Sequence, residues 1–458
     1  MISTQNKIVV FVLMAAGFIG SLSQNLLTSA LPSILADFGI SAAIGQWLTT
    51  SYILVMGVIT ALTAFLFYKF ETKLLVQVSL AVFLAGCILS LCAPNFPLLL
   101  AGRIIQACGA GPLIPLLQTA VLYLYPPEHQ GQALGLTGII VGFAPAVGPT
   151  LSGLLVDAFG WRSIFVFLII FTCIIMSLGQ FSLQSIGERQ NLSLDGISVI
   201  LYALGFSTFM LAVTFLKSSV FLSAKVLLTF AIGIISLAIF VKRQNSSNAP
   251  LLKLSLLHDR SLMMGTILLG IAYVMNMAGT ILVPLFNQSI CPYSATVSGL
   301  ILLPGSLLIA VFSPYSGKLK DRYGAKRICL IGMFFMLAGN LPFVFYPETV
   351  GILPIAIAYA SRCMGMTFLM TPSTALAVQD LKLEDKPYGM AILNSLRQMS
   401  GSLFSTILVV IATIASAPAS LSVTGIHVAF ATMVGFSIAG IFLTLAIGKK
   451  NRYQYSDF

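Results

Sequence analysis

Long apolar runs, separated by short clusters of polar residues, glycine or proline, recur along most of the chain. They lie near 8–31, 45–67, 74–92, 97–124, 133–156, 163–183, 196–216, 224–241, 262–286, 297–315, 327–345, 351–377, 389–414 and 426–447. Most are about 20 residues or longer, the length an α-helix needs to cross a ~30 Å hydrocarbon core. In lipid every backbone amide must be satisfied within its own segment, so such runs predict helices. A β-barrel would show shorter, alternating segments instead. The pattern therefore predicts an all-α membrane protein with 14 spans. The first run is too long for a signal peptide and lacks a small-residue cleavage site, so it is expected to remain as the first span.

Composition agrees with this reading. With 58% hydrophobic and 8% charged residues, the chain has too little polar surface for a soluble protein. The positions of the basic residues then set an orientation. With a cytoplasmic N-terminus, 18 of the 24 Lys and Arg residues fall in inner loops and tails, among them Lys69, Lys318, Lys320, Arg322 and Lys382. The outer side holds only Arg162, Lys217 and Lys225, and three more arginines lie inside spans. Basic residues concentrate on the cytoplasmic side, so both termini are expected there; the compact loops and short tails suggest, by analogy, a bacterial inner (cytoplasmic) membrane. The net charge of +11 thus faces anionic lipid and implies no nucleic-acid partner. The seven cysteines are scattered without metal-ligand spacing and read as packing residues; no metal or cofactor is implied.

An internal repeat is visible. ALTAFLFYKFETK after the second run resembles SPYSGKLKDRYGAKR after the tenth, and Arg103 in the fourth has a counterpart in Arg362 of the twelfth. This predicts a six-helix bundle over 1–187, two inserted helices with linkers over 188–258, and a second six-helix bundle over 259–458. Parallel repeats of this kind are common in secondary transporters.

Several stretches resemble the major facilitator superfamily. GKLKDRYGAKR (317–327) looks like its loop signature, LLAGRIIQACGAG (99–111) like its fourth-span motif and AVGPTLSGLLVDAFGWRSIF (146–165) like its fifth-span antiporter motif. SALPSI, QWLTTSYIL, NAPLLKLSLLHDRSL, SGLILLPGSL and GMAILNSLRQMSG resemble its fourteen-span drug:proton antiporter branch. The resemblance implies two six-helix bundles around a central cavity that opens alternately to each side. It also implies efflux of amphipathic small molecules, with protons as the expected coupling ion.

The residues offer a physical reading of each motif. In the loop signature Gly317 and Gly324 permit a tight turn. Asp321 can accept from a neighbouring helix N-terminus or from basic groups, which with Arg322 makes a latch on the cytoplasmic side. Gly148, Pro149 and Gly153 permit close helix contact and a kink, the makings of a gate hinge. Buried polar residues inside spans are costly and usually face a cavity. Arg103 with Gln106, Arg362, and Asn394 with Arg397 and Gln398 are such groups. Gln24 and Asn25 stand in a polar stripe with Ser21 and Thr28; Thr49 stands near Trp47, Tyr52, Gln46 and Thr50. Asn276, Gln288 and Tyr359 complete the cavity candidates. The competing reading is that these residues bond helix to helix and only hold the bundle together.

Three features depart from the family pattern. The family's first-span acid falls at Ser23, and the first loop signature has Tyr68 in place of aspartate and Glu71 in place of glycine. None of the 13 acidic residues falls inside a predicted span. Proton coupling needs a titratable group, and arginine stays protonated. Asp157, at the outer end of the fifth span near Arg162, is the remaining coupling candidate. Two alternatives follow: a dedicated exporter or facilitator of an anionic, zwitterionic or lipid-like metabolite, and a transport-dead sensor or scaffold. No P-loop, HExxH or GxSxG occurs, so no enzyme is expected. Nothing in the sequence demands more than a monomer.

Overall fold

The computed structural model describes residues 4–187, 189–190, 193–215, 223–247, 250–291, 293–416 and 422–447. Lys217, Lys449, Lys450 and Arg452 lie outside these residues, as do the side chains of Thr28, Pro149 and Lys225. Among the described residues every regular element is helical. The long helices are α1 (Thr4–Phe38), α2 (Trp47–Lys69), α3 (Thr72–Leu91), α4 (Phe96–Leu124), α5 (Gln130–Phe159), α6 (Ser163–Ser182), α7 (Gly196–Phe215) and α8 (Ala224–Asn245). They continue as α9 (Arg260–Leu285), α10 (Ala295–Tyr323), α11 (Ala325–Asn340), α12 (Ile352–Val378), α13 (Lys386–Ile414) and α14 (Val423–Leu445). Thirteen helices among the described residues are long and apolar enough to cross a membrane. The expected span 133–156 lies within α5, which is 30 residues long.

Local chemistry sets the helix ends. Asn95, Asp259, Ser294 and Ser422 each accept from the backbone N–H three residues on, satisfying a donor that has no partner within the helix. Within α4 the ladder breaks at Gly111-Pro112, because proline has no N–H to give. Thr60 Oγ1 of α2 donates to the Gly111 carbonyl at 3.2 Å, inside the protein. After Pro284, α9 ends in a π-helical turn, Phe286–Ile290.

The packing repeats as the sequence does. α1 packs on α5 as α9 packs on α13, and α3 packs on α4 as α11 packs on α12. The first six helices meet the last six along two seams, α5 with α10 and α2 with α13. The intervening α7 and α8 pair with each other, and α7 also lies against α2 and α13 beside the second seam. Large apolar side chains such as Phe181, Leu353 and Phe442 point outward, as a lipid-facing surface requires.

Candidate functional site: a latch at the basic end and a polar seam between the bundles

The turns after α2, α4, α10 and α12 gather at one end of the molecule, the end that carries Lys69, Lys318, Lys320 and Lys382. Here Asp321, in the last turn of α10, accepts from the backbone N–H groups of Gly131 (Oδ1, 3.1 Å) and Gln132 (Oδ2, 2.9 Å). Those amides open α5, where the helix leaves its first donors free and carries partial positive charge. Lys320 Nζ stands 3.4 Å from Asp321 Oδ1, and the Arg322 guanidinium lies 5.2 Å from the Tyr323 ring centre. The contact depends on glycine: a Cβ on Gly317 would overlap the Gly131 carbonyl. Gly324 has φ +84°, a left-handed conformation that glycine adopts without steric cost, and it starts α11 at once. The structure thus brings Asp321 and Gly317 against the first turn of α5, with Gly324 at the turn that follows.

The degenerate first copy of the motif makes a different contact. Tyr68 cannot accept from a helix N-terminus as a carboxylate does; its hydroxyl donates to the Glu384 carbonyl in the turn before α13. Its ring stacks on Tyr388, with centres 5.6 Å apart, and Tyr123 donates to the neighbouring Leu383 carbonyl at 3.2 Å. Glu71, in the glycine position, pairs with Arg189.

The three membrane arginines sit in unlike surroundings. Arg103 is fully buried and bonded within its own bundle. Its Nη1 donates to Gln106 Oε1 (2.6 Å) and Ser23 Oγ (3.0 Å), while Nη2 and Nε donate to the carbonyls of Ser23 and Leu48, both at 3.3 Å. Tyr52 lies under the guanidinium at 4.2 Å and donates to the Gly20 carbonyl. Arg103, Gln106 and Tyr52 are thus helix-to-helix bonding groups and do not face a cavity, since their polar atoms are used within the bundle. Arg362 donates to Asn340 Oδ1 (2.6 Å) and the Met275 carbonyl (2.7 Å), and lies 5.8 Å from the centre of the buried Tyr359 ring. Asn276 borders a small void beside Tyr359 and Arg362. Arg397 is 6% exposed and its Nε has no partner; its guanidinium sits 5.0 Å from the centre of the Tyr273 ring.

Beside Arg397, two amides on the same face of α13 reach the first bundle. Asn394 Nδ2 donates to Gln118 Oε1 of α4 at 2.6 Å. Gln398 Nε2 donates to the Ile53 carbonyl of α2 at 3.4 Å. The polar groups of α13 thus line the seam between the bundles.

The family model described as Major Facilitator Superfamily matches residues 13–406. The chain belongs to the major facilitator superfamily. It is 33% identical over 452 residues to an uncharacterized MFS-type transporter, YcnB, of Bacillus subtilis, covering 97% of this chain and 96% of that one. The lincomycin resistance protein LmrB of Listeria monocytogenes is 32% identical over 398 residues, covering 86% and 84% of the two chains. The structure of a proton:xylose symporter superposes with a TM-score of 0.67 at 13% identity, over 98% of this chain and 96% of the other; that likeness concerns the fold. Superfamily membership makes the chain a multi-pass membrane transporter and not an enzyme.

Within this major facilitator fold several expectations need correction. Gln288 is exposed in the π-helical turn; the buried amide there is the preceding Asn287, which donates to Ser298 Oγ at 3.1 Å. The irregular turn explains the miss, because it shifts which residue faces inward. Gly148 makes a close contact, since a Cβ there would stand 2.9 Å from Asn25 Cβ, while no described atom lies within 4 Å of a Cβ on Gly153. Pro149 lies in α5 with its side chain outside the described residues. Asp157 is exposed in the last turns of α5; its expected neighbour Arg162 pairs with Asp37 at 3.2 Å. Gln24 and Thr49 are half-buried, Asn25 donates within α1 to the Ser21 carbonyl, and Trp47 is 40% exposed at the start of α2. Sequence reasoning passed over Gln118, although it is the lone amide in the apolar run LIPLLQTAVLYL. It also missed Tyr273, which nothing in its sequence context marks.

Proposed function

We propose that this transporter exports small amphipathic compounds, drugs among them, across the cytoplasmic membrane by secondary active transport. In this reading the bundles 1–187 and 259–458 rock about the seam, 188–258 adds the two helices beside it, and both termini are cytoplasmic. The observation that carries the proposal is the Asp321 latch. It joins two bundles that share no covalent connection there, through bonds that a rigid-body movement can break and remake. The central site consists of Asn394, Gln398 and Gln118 at the seam, with Arg397 beside them. Gln24, Asn25 and Thr49 lie on the first-bundle side of the path, and Gly148 lets α1 and α5 pack closely as the gate moves. Protons are the proposed coupling ion. Among the described residues the helical carboxylates Asp37, Asp157 and Asp321 all sit in last turns, so coupling would run through helix-end groups, Asp157 first.

Relatives named for lincomycin resistance make lincomycin the first compound to try. Expressed in a drug-hypersensitive host, the protein should lower lincomycin accumulation and raise the inhibitory concentration, and Asp321→Asn should remove most of the effect. Unchanged accumulation of lincomycin and of a panel of amphipathic drugs, with the protein in the membrane, would refute drug export.

A further inference from the structure

We infer that Arg397 anchors the anionic group (a carboxylate, sulfonate or phosphate) of a compound held at the seam between the bundles. This deepens the export reading and rests on it. The inference comes from comparing the three membrane arginines. Arg103 has four hydrogen bonds and Arg362 has two. Arg397, equally deep, donates none to a described residue, and its buried Nε is orphaned. A guanidinium stays protonated in a protein, so burial cannot remove this charge by titration. A buried charge without a partner is strongly unfavourable, and charged groups kept inside a membrane generally serve a substrate path.

Among the described residues no acidic side chain pairs with Arg397, and every ion pair lies at a helix end. What the surroundings do supply is shape and amide groups. Tyr273 of α9 lies against the guanidinium, and Gly401 makes room for that ring, because a Cβ there would overlap it. One turn before Arg397, Asn394 leaves its Oδ1 without a partner, while its Nδ2 crosses to Gln118. The positive side chain thus belongs to the second bundle, and the amides beside it are already in contact with the first. An anion bound here would touch both, and its entry requires the Asn394–Gln118 and Gln398–Ile53 bonds to part. An arginine binds carboxylate, sulfonate and phosphate alike through a pair of parallel N–H donors, so the site selects for negative charge.

The test is thermal unfolding of the purified full chain with 1-naphthalenesulfonate, benzoate or inorganic phosphate, against neutral 1-naphthalenemethanol and cationic 1-naphthalenemethylamine. At least one anion should raise the midpoint by about 3 °C at a hundredfold excess over its Kd, and the neutral and cationic compounds should not. Arg397→Gln should abolish the shift and Arg397→Lys should keep part of it. Should Arg397→Gln fail to fold, Asn394→Asp decides. It places a carboxylate one turn from Arg397 in exchange for the amide bond to Gln118, so it should remove the anion-dependent shift. Equal shifts with anionic and neutral compounds, an anion shift that survives Arg397→Gln, or no shift with any anion would overturn the assignment. The two readings fail separately: no export alongside an Arg397-dependent anion shift refutes export alone. Export of neutral or cationic drugs with no anion shift refutes the site alone.

Discussion

The backbone N–H of Gln132 donates to Asp321 Oδ2 at 2.9 Å, joining the first turn of α5 to the last turn of α10. The equivalent place in the first repeat is held by Tyr68, which donates to the Glu384 carbonyl instead. One seam is therefore closed by a charge on a helix N-terminus and the other by a neutral hydroxyl and a stacked aromatic pair. Bonds with a charged partner contribute about 1.5–3 kcal/mol and neutral ones about 0.5–1.5 kcal/mol. The α5–α10 seam should thus hold the basic end shut more firmly than the α2–α13 seam.

Asp321→Asn keeps the shape but loses the charge and one of the two acceptors. We expect the closed basic end to lose about 1.4 kcal/mol or more, a tenfold change in its population, while Tyr68→Phe should cost less. Solvent accessibility of a cysteine in place of Ser313, which is buried at this seam and bonds to the Gly135 carbonyl, would report both. Equal effects of the two substitutions would contradict the asymmetry.

Gly317→Ala should impair transport without unfolding the protein. Its methyl group meets the Gly131 carbonyl only when the basic end is closed, so the variant should favour the opposite state. Gly324→Ala acts on the fold, because its backbone (φ +84°, ψ 154°) strains an L-residue by about 1–3 kcal/mol. Transport rate and unfolding midpoint, measured for both variants, should move in opposite proportions.

Ser23→Asp should stabilise the protein. The Ser23 hydroxyl already accepts from Arg103 at 3.0 Å in a fully buried setting, and a carboxylate there would neutralise the guanidinium and take a stronger bond. A raised unfolding midpoint at neutral pH that declines on acidification is the expected result. A lowered midpoint at every pH would mean that the pocket cannot accept the larger charged group.

Asp195 ties the start of α7 to Arg243 at the end of α8, at 2.7 Å. The bond from Arg243, with a second from Ser198, holds its carboxyl well below the usual carboxylate range. A depressed folded value means stability that is complete above the unfolded value of about 3.9 and is lost as pH falls through the folded one. The difference in unfolding midpoint between the wild type and Asp195→Asn should therefore be constant from pH 7 to 5 and shrink below pH 4. A difference that grows on acidification would contradict this sign.

The helical architecture was legible because lipid enforces one rule on every span, and the apolar runs recorded it. The contact at Asp321 was legible for a similar reason: Gly317, Asp321 and Gly324 belong to one short segment whose partner is a generic helix N-terminus. The seam was less so. Asn394, Arg397 and Gln398 could be placed on one face from their spacing, but whether a buried arginine meets a cavity or a neighbouring helix depends on residues far away in sequence. Arg103 is satisfied by Ser23 and Leu48, 80 and 55 positions away, and periodicity carries no such pairing. Gln288 was misplaced because the π-turn after Pro284 breaks the helical spacing on which its assignment relied.

The central claim is that the two bundles move against each other with the Asp321 latch closing one end. It is tested most directly by paired spin-label distances in a cysteine-free background, with one pair at the basic end (positions 128 and 382) and one at the opposite end (159 and 348). The account predicts that Asp321→Asn lengthens the first distance and shortens the second in the same samples. Distances that stay fixed, or that lengthen together, would contradict alternating access governed by this latch.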